Sequence, residues 1–302
     1  MAVMTVLGEV EADELGVTLP HEHVFVDLVR EYRGDGLLND PALAVAELSA
    51  FAEAGGRTVV DCTTVGLGRD PSALVEVARA TGLHVVMGCG FYRDPYLPAD
   101  LDRLPVDAVA ELIVRDIEEG VDGTGVRAGV IGEIGADRAW MSAREERSFR
   151  AAARAHRRTG LTITTHAARW PVGGPQLDLL GEEGVDPGRV VIGHCDMVPD
   201  PDYHLSLARR GAWVQFDTVQ GESEYDVRCR VAWLRNLAEH GHLDRVLLSQ
   251  DVCLRSNLRA MGGCGYTYVV TGFAEVLRSS GFDDADLRRL LVDNPRRALT
   301  GA

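Results

Sequence analysis

Short apolar runs alternate with longer amphipathic stretches along nearly the whole chain. The runs are TLPHEHVFVD (18–27), RTVVDCTT (57–64), HVVMGCG (84–90), AGVIGEIG (128–135), LTITTHAA (161–168), RVVIGHCD (189–196), AWVQFDTV (212–219) and RVLLSQDV (245–252). Each has the length of a strand and is bounded by Gly, Asp or Thr, and their near-continuous apolar character is that of parallel strands covered on both faces. Between them, PALAVAELSAFAEAG (41–55), PSALVEVARATG (71–82) and EERSFRAAARAHRRTG (145–160) read as helices. Asp40 caps the first of these, Pro41 occupies its first turn and Gly55 stops it; the other two end on Gly82 and Gly160. Eight strand–helix units predict an α/β fold, a closed (β/α)8 TIM barrel, with an open doubly wound sheet as the alternative. No linker or low-complexity segment interrupts the rhythm, so residues 1–302 are expected to form one domain.

In such a barrel, chemistry gathers where the C-terminal ends of the strands meet their loops. Those ends carry polar residues inside apolar runs: His21 and His23 on the first strand, Glu133 on the fourth, His166 on the fifth, His194 on the sixth and Asp251 on the eighth. If the first run is extended, His21 and His23 point to one face and Glu22 faces the helical layer. A single histidine here reads as a hydrogen-bonded core residue, and a single aspartate as the cap of the next helix. Six such residues on five strands would need six separate reasons, and burying an unpaired carboxylate such as Glu133 costs on the order of several kcal/mol. Two divalent cations would remove all of these costs. Imidazole and carboxylate donors without sulfur suit Zn first, with Mn, Co and Fe sharing the same ligands.

Composition narrows the function classes. A formal charge of −15 and a pI near 5.0 disfavour nucleic acid and anionic membrane surfaces as partners. The N-terminus lacks a basic segment followed by a long apolar one, and no stretch is long enough for a bilayer span; the expectation is a soluble, cytoplasmic protein with a small-molecule substrate. Six cysteines without a CxxC pair are expected to be reduced, with Cys89, Cys195 and Cys253 in the core or lining the pocket. All 31 basic residues are arginine, which excludes Schiff-base chemistry, a P-loop lysine and a carboxylated-lysine metal bridge. His84, His156, His240 and His242 fall outside the expected mouth, and His204 is expected at the solvated surface.

The ordered motifs LPHEHV (19–24), CGFYRDPY (89–96), GVIGEIG (129–135), TTHA (164–167), VVIGHCD (190–196), LLSQD (247–251), GGCGYTYVV (262–270) and LLVDNPRRAL (290–299) resemble the amidohydrolase superfamily, and within it the phosphotriesterase-like branch of homology proteins and lactonases. The resemblance implies that His21, His23 and Asp251 hold one metal and His166 and His194 a second. It places Glu133 as the bridge, where the best-known members have a carboxylated lysine. A hydroxide between the ions would attack a carbonyl or phosphoryl centre, and Asp251 would take its proton. Tyr92 would line the pocket and meet the reacting oxygen. Arg93, Trp170 and Arg255 are further substrate-contact candidates, Asp196 and Asp217 are others at the mouth, and the alternative for Asp196 is to orient an imidazole.

In FDTVQG (216–221), Gly221 replaces a lysine common among relatives. Leu254 stands where a cation is common, and the loop AARWPVGGP (167–175) inserts Trp170 and Pro171. These departures point to hydrolysis of a small, non-phosphorylated ester, lactone or amide. The alternatives are a phosphotriesterase or sugar-lactone-phosphate hydrolase and, in another class, a silent barrel that binds a small molecule. Members often form homodimers, and a homodimer is the assembly that the resemblance allows.

Overall fold

Each apolar run folds as a strand. The computed structural model describes residues 1–221 and 223–301. The barrel strands are β1 (Thr18–Glu22), β2 (Thr58–Asp61), β3 (His84–Cys89), β4 (Val130–Gly135), β5 (Ile163–His166), β6 (Val190–Ile192), β7 (Trp213–Phe216) and β8 (Val246–Leu248). They lie side by side in chain order, and every hydrogen-bonded pair is parallel. The protein is a (β/α)8 barrel.

Outside the sheet lie α1 (Pro41–Glu53), α2 (Pro71–Thr81), α3 (Val106–Glu118), α4 (Ala143–Thr159), α5 (Gly173–Glu182), α6 (Pro201–Arg209) and α7 (Glu224–Glu239). The expected punctuation is present. The Asp40 carboxylate accepts from the amides of Ala42 and Leu43 ahead of Pro41, and α2 and α4 end on Gly82 and Gly160 in left-handed conformation. Among the described residues no helix is long and apolar enough to cross a membrane.

Two features of the sheet position the site. The first is the seam between β1 and β8, which is fastened by a side chain. Glu22 is fully buried; its Oε1 accepts from Ser249 Oγ at 2.7 Å and the Gln250 amide at 2.8 Å, and its Oε2 accepts from the Val252 amide at 2.8 Å. Burial pushes this carboxyl up to about 8, against the three donors that favour its charge. Glu22 therefore faces the seam rather than the helical layer, and it holds both flanks of Asp251. The second feature is a pair of register irregularities, between Leu19 and Glu22 on β1 and between Ile131 and Ile134 on β4. Bulges of this kind turn side chains off strict alternation, here aiming His21 and Glu133 at the barrel axis. Gly132 permits it: at φ +124° a Cβ would meet the Thr164 carbonyl oxygen at 2.2 Å.

The floor below the site is dry. Val60, Val86 and Val130 from the strands pack against Val3, Leu15 and Leu299 from the two ends of the chain. Trp213 packs with Val191, Leu247 and Ala298 beside them. Asn294 Nδ2 donates to the carbonyls of Leu243 and Val246, tying the last helical segment to the start of β8. The polar mouth thus rests on a closed apolar base.

Candidate metal centre and active-site cavity

The six residues expected to converge do so around Glu133. Its Oε1 lies 3.4 Å from His23 Nε2, and its Oε2 lies 3.6 Å from His21 Nε2, 3.3 Å from His166 Nδ1 and 3.3 Å from His194 Nε2. Asp251 Oδ1 stands 3.7 Å from His21 Nε2 and 3.4 Å from His23 Nε2. His21, His23, Glu133 and His194 are buried, and His166 and Asp251 border the cavity. His194 and Asp251 adopt left-handed φ values of 55° and 50°, sparsely populated for residues other than Gly and held here by their surroundings.

These spacings permit a direct test of whether a metal fits. Four donors at the usual Zn–N and Zn–O distances on a tetrahedron are roughly 3.3 Å apart. The observed separations cluster at that value and slightly above it. His21 Nε2 also has no hydrogen-bond partner although it is buried, a cost that a cation would relieve. The donors divide into two sets sharing Glu133: His21, His23 and Asp251 on one side, His166 and His194 on the other. The donor chemistry and spacing fit a bound metal ion.

Electrostatics agree. Burial alone would raise Glu133, but His21 together with hydrogen bonds from His166, His194 and His23 holds it well below the usual carboxylate range. Burial likewise opposes the charge on Asp251, yet His23, His194 and His21 keep its carboxyl low. His23 is pushed up to about 10 by Asp251 and Glu133 in spite of its burial, so a proton balances the anions where a metal would otherwise do so. His166 is lowered to about 4 by burial and by neighbouring His194.

Outer contacts orient the imidazoles. Asp217 Oδ1 lies 2.8 Å from His194 Nδ1, and Thr63 Oγ1 lies 2.9 Å from His23 Nδ1. Thr63 is positioned in turn by Asp61, which accepts its amide at 3.0 Å and that of Val24 at 2.7 Å. The acceptor expected at Asp196 is therefore Asp217. Asp196 instead accepts from Arg230 Nε at 2.8 Å and Thr218 Oγ1 at 2.7 Å, because it lies in the turn Cys195–Met197, which leads it away from the axis. Asp61, Thr63 and Gln215 escaped the sequence reading. Gln215 had a signal, since it precedes Asp217 by two in the extended run AWVQFDTV and so falls on the same face.

A cavity of about 300 Å³ opens over the centre, lined by His23, Glu133, His166, His194 and Asp251, with Val26, Leu28, Leu67 and Met197 as apolar wall. Tyr92 lines it, with its hydroxyl 3.1 Å from His166 Nδ1. Arg93 lines it too, but its guanidinium is engaged by both Glu31 oxygens at 2.9 and 2.7 Å and by Asp137.

Two other expected contacts lie elsewhere. Trp170 is 49% exposed and outside the cavity, because Arg169 at φ 66° turns the loop and takes the inward place itself. Arg255 faces a narrow cleft with Leu37, Asn39 and Asp40, because Ser256 is pinned to Asp35 by its amide and hydroxyl, both at 2.8 Å. His204 is a further correction: it is fully buried, with Nε2 2.8 and 2.9 Å from the Cys195 and Val198 carbonyls and its ring against Phe216 and Trp233. Cys89 and Cys195 are core residues, and Cys253 lines the cavity.

A parallel α/β barrel with nitrogen and oxygen donors converging at its C-terminal mouth is an arrangement able to hold a metal ion over a substrate cavity. The chain belongs to the Phosphotriesterase family, whose model matches residues 1–299. It is 40% identical to the phosphotriesterase homology protein of Escherichia coli (strain K12), over 94% of this chain and 97% of that one. It is 31% identical to the N-acetyltaurine hydrolase of Danio rerio, over 99% and 97% of the two chains. Among solved structures, the lactonase Lmo2620 from Listeria monocytogenes superposes with a TM-score of 0.93 at 27% identity, covering 99% of each chain. Relatives in the family are hydrolases.

Proposed function

We propose that the protein is a binuclear metal-dependent hydrolase that cleaves the acyl bond of a small, non-phosphorylated ester, lactone or amide. One observation carries this reading: Glu133 lies among four imidazoles at tetrahedral-edge distances, beneath a cavity that also presents Tyr92 and Asp251. His21, His23 and Asp251 would hold one ion, His166 and His194 the other, and Glu133 both. When bound, the ions would activate water at neutral pH and polarise the carbonyl.

The chain's own groups do the rest. Asp251, ionised and at the cavity edge, accepts the proton of the attacking water and returns it to the leaving group. Burial, then Glu133, lifts the Tyr92 hydroxyl well above its ordinary range, so it stays protonated and can donate to the oxygen on which charge develops. Val26, Leu28, Leu67 and Met197 bind the apolar body of the substrate and exclude bulk water. Glu31 and Asp137 neutralise Arg93, leaving Arg169 at the mouth to meet at most a single acidic group.

Further support for a non-phosphorylated substrate comes from position 221. Gly221 has φ 65°, and a Cβ there would lie 3.0 Å from both Cys264 Sγ and the Tyr268 ring, so the lysine common among relatives would fit this loop only if those side chains gave way. The relatives named as a lactonase and an N-acetyltaurine hydrolase favour acyl-bond cleavage.

The test is a panel of neutral lactones, p-nitrophenyl esters, N-acyl amino acids, N-acyl aminosulfonates, sugar-lactone phosphates and a phosphotriester, run on protein reconstituted with Zn, Mn or Co. The reading requires about two metal equivalents per chain, lost together with activity in His166→Ala. A metal-free wild type, or a preference of more than about tenfold in kcat/KM for the phosphorylated substrates, worth ~1.4 kcal/mol, refutes it.

A further inference from the structure

Asp217 is wholly buried beyond the end of β7, and its two oxygens reach into both halves of the centre. Oδ1 lies 2.8 Å from His194 Nδ1, and the backbone N–H of His194 donates to Oδ1 at 3.1 Å and to Oδ2 at 3.0 Å. Oδ2 also accepts from Gln215 Nε2 at 2.7 Å and lies 3.5 Å from His21 Nδ1. Gln215 Nε2 stands 3.0 Å from that same His21 nitrogen. His21 and His194 belong to opposite donor sets, and their ring centroids are only 4.9 Å apart.

We propose that Asp217 is a positioning residue that ties the two halves of the metal centre into one unit, holding His194 directly and His21 through Gln215, so that both Nε2 atoms face Glu133. The inference rests on the metal-centre reading above and adds a coupling between its two sites. An ionised carboxylate only accepts hydrogen bonds, so His194 Nδ1 donates to it and His194 Nε2 is left facing Glu133. His194 is anchored twice, by ring and by amide, which fixes its position as well as its tautomer. Room for this close approach comes from the preceding glycine: a Cβ on Gly193 would lie 3.3 Å from Asp217 Oδ2 and 2.3 Å from the Thr165 carbonyl oxygen. A carboxylate that merely linked β6 to β7 would have no need to reach His21 on β1.

Asp217→Asn tests this with little change of shape. The metal-free variant and wild type are titrated with Zn against a chromogenic chelator, and the histidine side chains of the metal-free proteins are observed by 15N NMR. Loss of an outer acceptor of a ligating histidine commonly lowers metal affinity by about 10–100-fold. Here that loss is expected for both ions together, with the Nδ1–H form of His194 depleted. Weakening of one ion alone, or wild-type affinity for both, overturns the coupling and leaves the hydrolase reading standing. A wild type that takes up no Zn removes both. If Asp217→Asn does not fold, the wild-type spectrum decides: a hydrogen-bonded Nδ1–H at His194 supports the proposal, and the Nε2–H tautomer there overturns it.

Discussion

Replacing Tyr92 by phenylalanine deletes one oxygen from the cavity wall and little else. The ring would keep its edge contact with His166, at a centroid distance of 5.0 Å, and its place under the Arg93 guanidinium at 4.9 Å. The hydroxyl lies 3.1 Å from His166 Nδ1 and also meets the Arg93 guanidinium, so the change in folding stability should be about 1 kcal/mol. Its effect on rate should be larger. A neutral donor aimed at an oxygen that gains charge during reaction is worth about 2.7–4 kcal/mol, or a 10²–10³-fold loss of kcat. The assay is steady-state kinetics on the best substrate from the panel, with metal content measured on the same preparations. The expected result is a fall in kcat of at least ~10²-fold, a small change in KM and unchanged metal stoichiometry. A kcat within about threefold of wild type would refute the role and leave Tyr92 as wall alone.

Other outcomes follow from the same geometry. Chelation of the ions should lower the thermal midpoint, and added Zn should restore it, because a ligand bound only by the folded state stabilises it; an unchanged midpoint counts against a resident metal. Arg169→Ala should raise KM for acidic acyl substrates and leave neutral lactones unaffected; an equal change for both removes Arg169 from recognition. Glu22→Gln leaves one seam donor without an acceptor, so it should destabilise the protein by about 1–3 kcal/mol and speed hydrogen exchange at the Gln250 and Val252 amides. His204 has its pKa lowered by burial, so the stability it contributes is complete above its ordinary value and is lost as pH falls through the lower folded value. In urea unfolding, wild type should therefore weaken from pH 7 towards pH 4 more steeply than His204→Gln; parallel profiles would contradict this.

The strands were legible because a parallel barrel buries both of their faces, leaving apolar runs such as RVVIG and RVLLS that little else would explain. The six converging donors were legible for the same reason, as polar residues out of place in those runs. Loop residues were harder to read. Trp170 and Arg255 follow donor strands closely, yet a left-handed residue at Arg169 and a pinned turn at Ser256 aim them away from the cavity. Both are tertiary constraints that residue spacing does not encode. His204 looked solvated because PDPDYH is polar, but its helix turns it under Phe216 and Trp233. The roles of Asp196 and Asp217 depend on which strand end turns aside, a question decided by packing.

The Glu22 clasp also joins residues that lie far apart in the chain. Glu133, His166 and His194 lie within a continuous stretch running from β4 to just beyond β6. The other donors are His21 and His23 from near the start of the chain and Asp251 from near its end, and these meet only where β8 returns to β1. The contacts that bring them together include those of the Glu22 carboxylate with Ser249, Gln250 and Val252, beside the His21 amide on Ser249 Oγ and the Asp251 amide on the His21 carbonyl. A chain cut before β8 would lack Asp251 and every one of these contacts, so on the proposed metal reading it would keep only the donors of β1 and of β4 to β6.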